Sequence, residues 1–282
     1  MPLTVVLLCG PSGAGKTTLA RVCIEEVLPK RPHYVRLYPI GDHGSGQQPL
    51  VNLTDWKGVR SATGVPYAAD RVFEVLPDVL VRIRKRQRFA TVLVEGDADP
   101  CLRHAYPYEK RFFVMPAVDD VYSVFRRPEE ASASLKQVME DTAEFASEIF
   151  GLFEDGLWDD EEGVRHQKGL RSTHGVREEL DISETQVTRF LASPLGAEIA
   201  ARIQLRPAYH PLVEADVVVV NMGVGACTAA VDACIRRLEA LLTRLQGAAT
   251  RENTLYCCDL LNKSDPQRQR LVRRMAELLL EV

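Results

Sequence analysis

The chain has 282 residues, is 46% hydrophobic and 26% charged, and carries a formal net charge of −4. That suits one large globular domain, or one domain with a sizeable insertion, and argues against nucleic-acid binding driven by bulk charge. Seven cysteines, an odd number without a C-x-x-C, suggest a reduced, cytoplasmic compartment. No apolar run approaches the roughly 18 residues that a membrane span needs.

In chain order, "TVVLLC" (4–9) is an apolar run too short for a helix and predicts a buried parallel strand. It lacks a basic leader segment and runs directly into glycines, so it does not read as a signal peptide. "KTTLARVCIEEVL" (16–28) has helical spacing, and "HYVRLYPI" (33–40) predicts a second strand. The glycine-rich polar stretch 41–64 reads as a long connection. Residues 66–86 read as an amphipathic helix with a basic C-terminal end. "FATVLVEG" (89–96) and "RFFVMPAV" (111–118) predict the third and fourth strands. From 119 to 207 the pattern is helical and rich in charge, with no convincing strand. "ADVVVVN" (215–221), a helix over about 226–247, "TLYCCDLL" (254–261) and a last helix from about 266 complete the chain. Cys9, Cys23 and Cys234 fall in the apolar-periodic segments and read as small core residues.

Strands alternating with helices predict a three-layer α/β fold with a mostly parallel sheet of about six strands. The expected domains are a core of 1–118 and 208–282, with a helical insertion, 119–207, between strands four and five. Ligands in such sheets bind at the carboxyl ends of the strands.

After strand one comes "GPSGAGKTT", which matches G-x-x-x-x-G-K-[ST] at every fixed position and lies between an apolar strand and a helix. The backbone of Gly10, Pro11, Ser12, Gly13, Ala14 and Gly15 is expected to curl around phosphate oxygens. Lys16 supplies a point charge, the Thr17 hydroxyl can ligate Mg²⁺, and Thr18 continues the helix start. The stretch resembles the Walker A loop of P-loop NTPases and kinases.

The other strand ends carry carboxylates. Glu95, Asp97 and Asp99 follow strand three, and Asp42 and His43 follow strand two. Glu95 could organise Mg²⁺ together with Thr17, while Asp42 or Asp97 could take a proton from an acceptor hydroxyl. The alternative for each is a turn residue.

"EADVVVVNMGVGACTAAVDACIRRLEALL" (214–242) resembles the last sheet strand and following helix of small-molecule kinases such as dephospho-coenzyme A kinase and guanylate kinase. "TVLVEG" is similar to the third strand of the uridine kinase group. "FFVMPAVDDVYSVFRR" looks like the strand that leads into an arginine-bearing lid helix in those kinases. The resemblance implies the P-loop NTPase fold, ATP (with GTP as the other candidate) and Mg²⁺ as ligands, and a small-molecule phosphoryl acceptor. It implies lid cations at Arg126 and Arg127, and Asn221, at the end of the "ADVVVVN" strand, is a nucleotide-binding candidate. Arg165, His166, Lys168, Arg171, His174 and Arg177 are further lid candidates.

A rival resemblance is to the GTPases of metal-enzyme maturation. Their N-K-x-D guanine motif follows strand five, where this chain has Asn221 but Met222 and Val224 in place of Lys and Asp. Cys101 and His104 make only a thin metal site. The rival function is a nucleotide-hydrolysing switch acting on a protein partner, and a third is a non-enzymatic nucleotide sensor. No nucleic-acid partner is expected, and a homodimer is compatible with the sequence. "NKSD" does occur at 262–265, but one strand too late, where Ser264 or Asp265 reads as a helix N-cap and Pro266 as the first helical residue.

Overall fold

The computed structural model describes residues 3–39, 58–67, 71–86, 90–97, 102, 105–133, 194–223, 229–248 and 254–280. Its strands are β1 (Thr4–Cys9), β2 (His33–Pro39), β3 (Ser61–Tyr67), β4 (Thr91–Glu95), β5 (Lys110–Pro116), β6 (Val217–Asn221) and β7 (Thr254–Cys258). They form one seven-stranded sheet in the order β3-β2-β4-β1-β5-β6-β7, and every pairing is parallel. Parallel strands need crossovers, so helices cover the faces and the inner strands are apolar on both sides. Val5, Val6, Leu7 and Leu8 of β1 and Val217 to Val220 of β6 are accordingly buried throughout. Each such side chain contributes roughly 1.5–3 kcal/mol on burial.

The helices are α1 (Lys16–Val22, with a π-helical last turn over Cys23–Val27), α2 (Val72–Arg86), α3 (Val121–Val124), α4 (Pro194–Gln204), α5 (Ala229–Ala248) and α6 (Pro266–Leu280). A 3₁₀ helix, Pro207–Glu214, leads into β6. α2 buries Val72, Leu76, Leu80 and Ile83, a helical spacing that puts the buried residues on one face, and ends in Arg84, Lys85 and Arg86. α1 and α6 pack together on one face, where Cys23 Sγ lies 3.6 Å from Met275 Sδ. Cys9, Cys23 and Cys234 are core thiols, as their periodic positions suggest. Among the described residues no helix is long and apolar enough to cross a membrane.

One strand departs from the sequence reading. Residues 61–64 were expected in a connection and residues 66–71 in a helix, yet Ser61–Tyr67 pairs with β2 over its whole length and the helix starts at Val72. "SATGVPY" hides this, because Gly64 and Pro66 lower strand propensity and, from Ser61 to Pro66, Val65 alone is a buried apolar residue. An edge strand tolerates proline, which has no N–H, at positions whose N–H would face outward and make no ladder bond.

The chain divides into two compact units, 1–125 with 205–282, and 126–204. The division falls inside the 119–207 limits read from the sequence. In the first unit, Phe125 and Leu205 form an antiparallel bridge, and Arg206 N–H donates to the Val124 carbonyl at 2.8 Å. Phe125 and Leu205 are fully buried, and the Arg237 guanidinium lies 4.4 Å above the Phe125 ring. In the second unit, Arg126 N–H donates to the Gln204 carbonyl at 2.8 Å.

Candidate functional site

The loop between β1 and α1 is held from several sides. A Cβ on Gly10 would sit 1.9 Å from the Val114 carbonyl of β5, so only glycine lets the chain pass there. Gly15 has φ 102°, and a Cβ on it would meet Asn221 Nδ2 at 2.4 Å. Asn221, 4% exposed, donates from Nδ2 to the Ala14 carbonyl at 3.1 Å and accepts the Gly223 N–H on Oδ1 at 3.2 Å. These two bonds fix the amide's orientation and place its side chain against the loop, from the end of β6.

Lys16 opens α1, and the first helical N–H groups have no upstream carbonyl to bond. Lys16 Nζ, 7% exposed, donates to the carbonyls of Gly10 (2.8 Å) and Pro11 (2.9 Å) and to Asp97 Oδ1 (2.8 Å). Thr17 Oγ1 donates to Glu95 Oε1 at 2.8 Å. Glu95 ends β4, which pairs directly with β1, so its carboxylate arrives beside the loop as the sequence suggests. It is 2% exposed and also accepts the Tyr34 hydroxyl on Oε2. Burial, reinforced by the Glu95 charge, pushes the Tyr34 phenol above its usual range, so it remains a donor at neutral pH.

Ser12 to Thr17, Arg36, Leu37, Glu95, Gly96 and Asp97 line a cleft of about 270 Å³. Arg36 Nε lies 3.6 Å from Glu95 Oε1. The cleft thus pairs Lys16 with Asp97 and Arg36 with Glu95, and a curled backbone faces them. Fixed amides, paired cations and a helix start are the equipment that binds a phosphate chain.

The sequence pattern places Tyr34 and Arg36 in a strand and assigns them no role at the site. Their signal is visible in retrospect: they are two apart on β2, hence on one face, and Arg36 is a charge within a largely buried strand. In register, Arg36 pairs with Glu95. Arg126 and Arg127 lie in the second unit, where Arg127 N–H is bonded to Glu130 Oε2 at 3.3 Å. Asp42, His43, Asp99, Cys101, His104 and the cations from Arg165 to Arg177 lie outside the described residues. Among the described residues no cluster of three or more His, Cys, Asp or Glu is placed to hold a metal.

The 262–265 string builds a helix start. Asp265 caps α6, accepting Gln267 N–H on Oδ1 at 2.8 Å and Asp259 N–H on Oδ2 at 2.9 Å. Asn262 Oδ1 accepts Ser264 N–H at 3.1 Å in an Asx turn, and Lys263 pairs with Glu26 at 3.6 Å.

No protein-family model matches the chain, and no curated protein matches it. Among solved structures it is similar to one titled "Crystal structure of LAO/AO transport system kinase", at 11% identity and a TM-score of 0.44. That similarity covers 100% of this chain and 61% of the other, so this chain spans about three-fifths of that protein's length.

Proposed function

We propose that the protein binds ATP with Mg²⁺ in the β1–α1 cleft and transfers the γ-phosphoryl group to a small-molecule acceptor. The observation that carries this reading is the convergence of Lys16 and Thr17 at the head of α1 with Glu95 and Asp97 from the end of the neighbouring strand. The loop amides and Lys16 hold the phosphate chain. Thr17 and Glu95 offer oxygen donors within 2.8 Å of each other, a donor set that suits a hard cation. Mg²⁺ held there would offset charge on the phosphates. Asp97, with its side chain 45% exposed at the cleft, is free to accept an acceptor's proton once a phosphate takes Lys16 from it. Asp42 is the other candidate for that role on sequence grounds. The 126–204 unit would act as the lid that keeps water from the phosphoryl group. GTP is the alternative nucleotide.

The test is nucleoside diphosphate release, measured against a panel of hydroxyl- and phosphate-bearing small molecules. Turnover stimulated by one of them supports the kinase. Turnover stimulated only by a protein fraction supports a nucleotide switch, and binding without turnover supports a sensor.

A further inference from the structure

We propose that Arg36 is a phosphate-binding residue whose guanidinium meets the terminal phosphoryl group of a bound nucleoside triphosphate. The inference rests on the nucleotide-binding reading above and adds to it a residue that no motif identifies. Arg36 lies on β2, two strands from β1, so sequence distance and loop pattern give no hint of it. Its in-register pairing with Glu95 brings the side chain to the face on which Thr17 and Glu95 meet. There it lines the same cleft as Lys16.

The side chain is 30% exposed, and among the described residues its one ion pair runs through Nε, to Glu95 at 3.6 Å. The two terminal amino groups carry no hydrogen bond among the described residues. A guanidinium offers a planar fork of donors suited to a phosphate, and among the described residues Nη1 and Nη2 are not engaged while Nε stays beside Glu95. Direction matters as well. The cleft is walled by residues of β2 and β4 and by none of β5, β6 or β7. Thr17 and Glu95 are the residues proposed to hold Mg²⁺ at the terminal phosphates, and Arg36 stands beside Glu95, at 3.6 Å, so its guanidinium is placed at that end of the chain. Charge agrees: the two carboxylates already balance Lys16 and Arg36, and a third phosphate adds negative charge that Glu95 and Asp97 alone would repel.

The experiment is calorimetric titration of the wild type, Arg36→Ala and Arg36→Lys with ATP and ADP, each with Mg²⁺, and Lys16→Ala as a control. We expect Arg36→Ala to lower the ratio of triphosphate to diphosphate affinity by roughly 10- to 100-fold. ADP affinity should change less than about twofold, and Arg36→Lys should restore part of the ratio. Ligand-free melting temperature and circular dichroism are measured alongside, with Arg36→Gln as a second variant should alanine not fold. An unchanged ratio overturns the proposal, as does an equal loss for both nucleotides. Failure of the wild type to bind any nucleotide is a different result, and overturns the nucleotide reading itself.

Discussion

Lys16 Nζ and Asp97 Oδ1 are 2.8 Å apart, an ion pair between the loop after β1 and the residues just past β4. A phosphate must compete with Asp97 for Lys16, and it then also meets Asp97 as a like charge. Replacing the carboxylate by an amide removes both effects. Asp97→Asn should tighten ATP binding by about 3- to 10-fold, since a partly exposed charge pair is worth of the order of 1 kcal/mol. Turnover with the acceptor should move the other way, falling by about 10² to 10⁴ if Asp97 is the base. Titration calorimetry and a turnover assay on one preparation check both directions. Weaker binding together with unchanged turnover would show that Asp97 has neither role.

Tyr34 supplies the donor for Glu95 Oε2 from inside the sheet. Tyr34→Phe keeps the ring and removes that bond, leaving a carboxylate oxygen of a 2% exposed residue without it. The expected cost is about 1–3 kcal/mol in urea denaturation. An added ADP·Mg²⁺ titration should show weaker magnesium dependence, because Glu95 is no longer held in place beside Thr17.

The backbones of Phe125 and Leu205 are paired where the 126–204 unit departs and returns. Paired antiparallel residues have Cα atoms about 4.5–5.5 Å apart. A short glycine-serine linker can therefore replace 126–204 without straining the sheet. The excised protein should fold and keep its ATP affinity within about threefold, because the loop and its braces lie in the other unit. Acceptor-dependent turnover should fall about a hundredfold or more, with acceptor-independent hydrolysis persisting. Undiminished transfer would remove the lid from the account.

The sheet and the turn between β1 and α1 were legible in the sequence because both are local patterns: apolar runs of strand length, and glycines at fixed offsets before Lys16 and Thr17. The N-cap at Asp265 was legible for the same reason. β3 was not, since Gly64 and Pro66 give a strand stretch the composition of a turn, and only pairing with β2 makes it a strand. Arg36 and Tyr34 were missed because their roles come from register with β4, which no single strand encodes. Asn221 was singled out from a motif, yet the bonds that describe it, to Ala14 and Gly223, depend on β6 ending beside the loop.

Arg268 and Glu26 pin α6 against the π-helical end of α1. Arg268 is 3% exposed, donates from Nη2 to Glu26 Oε1 at 2.5 Å and from Nη1 to Oε2 at 3.1 Å, and bonds the Leu260 carbonyl through Nε at 2.8 Å. The hydrogen-bonded guanidinium holds the Glu26 carboxyl below its usual range, outweighing the opposing effect of burial. With the folded pKa below the unfolded one, the carboxylate's contribution is fully present above the unfolded pKa and is lost as pH falls through the folded value. Glu26→Gln should therefore melt below the wild type by a constant margin between about pH 6 and 8. The margin should shrink as pH falls below about 4. A margin that does not change with pH would mean that packing, not charge, carries the contact.

The most direct test of the central claim is thermal melting with ATP and Mg²⁺, wild type against Lys16→Ala. At a ligand concentration 100 times Kd, binding to the native state adds about 2.7 kcal/mol, so the wild-type midpoint should rise by several degrees and the variant's should not. Equal shifts in the two proteins, or no shift in the wild type with any nucleotide, would contradict a nucleotide site at this loop.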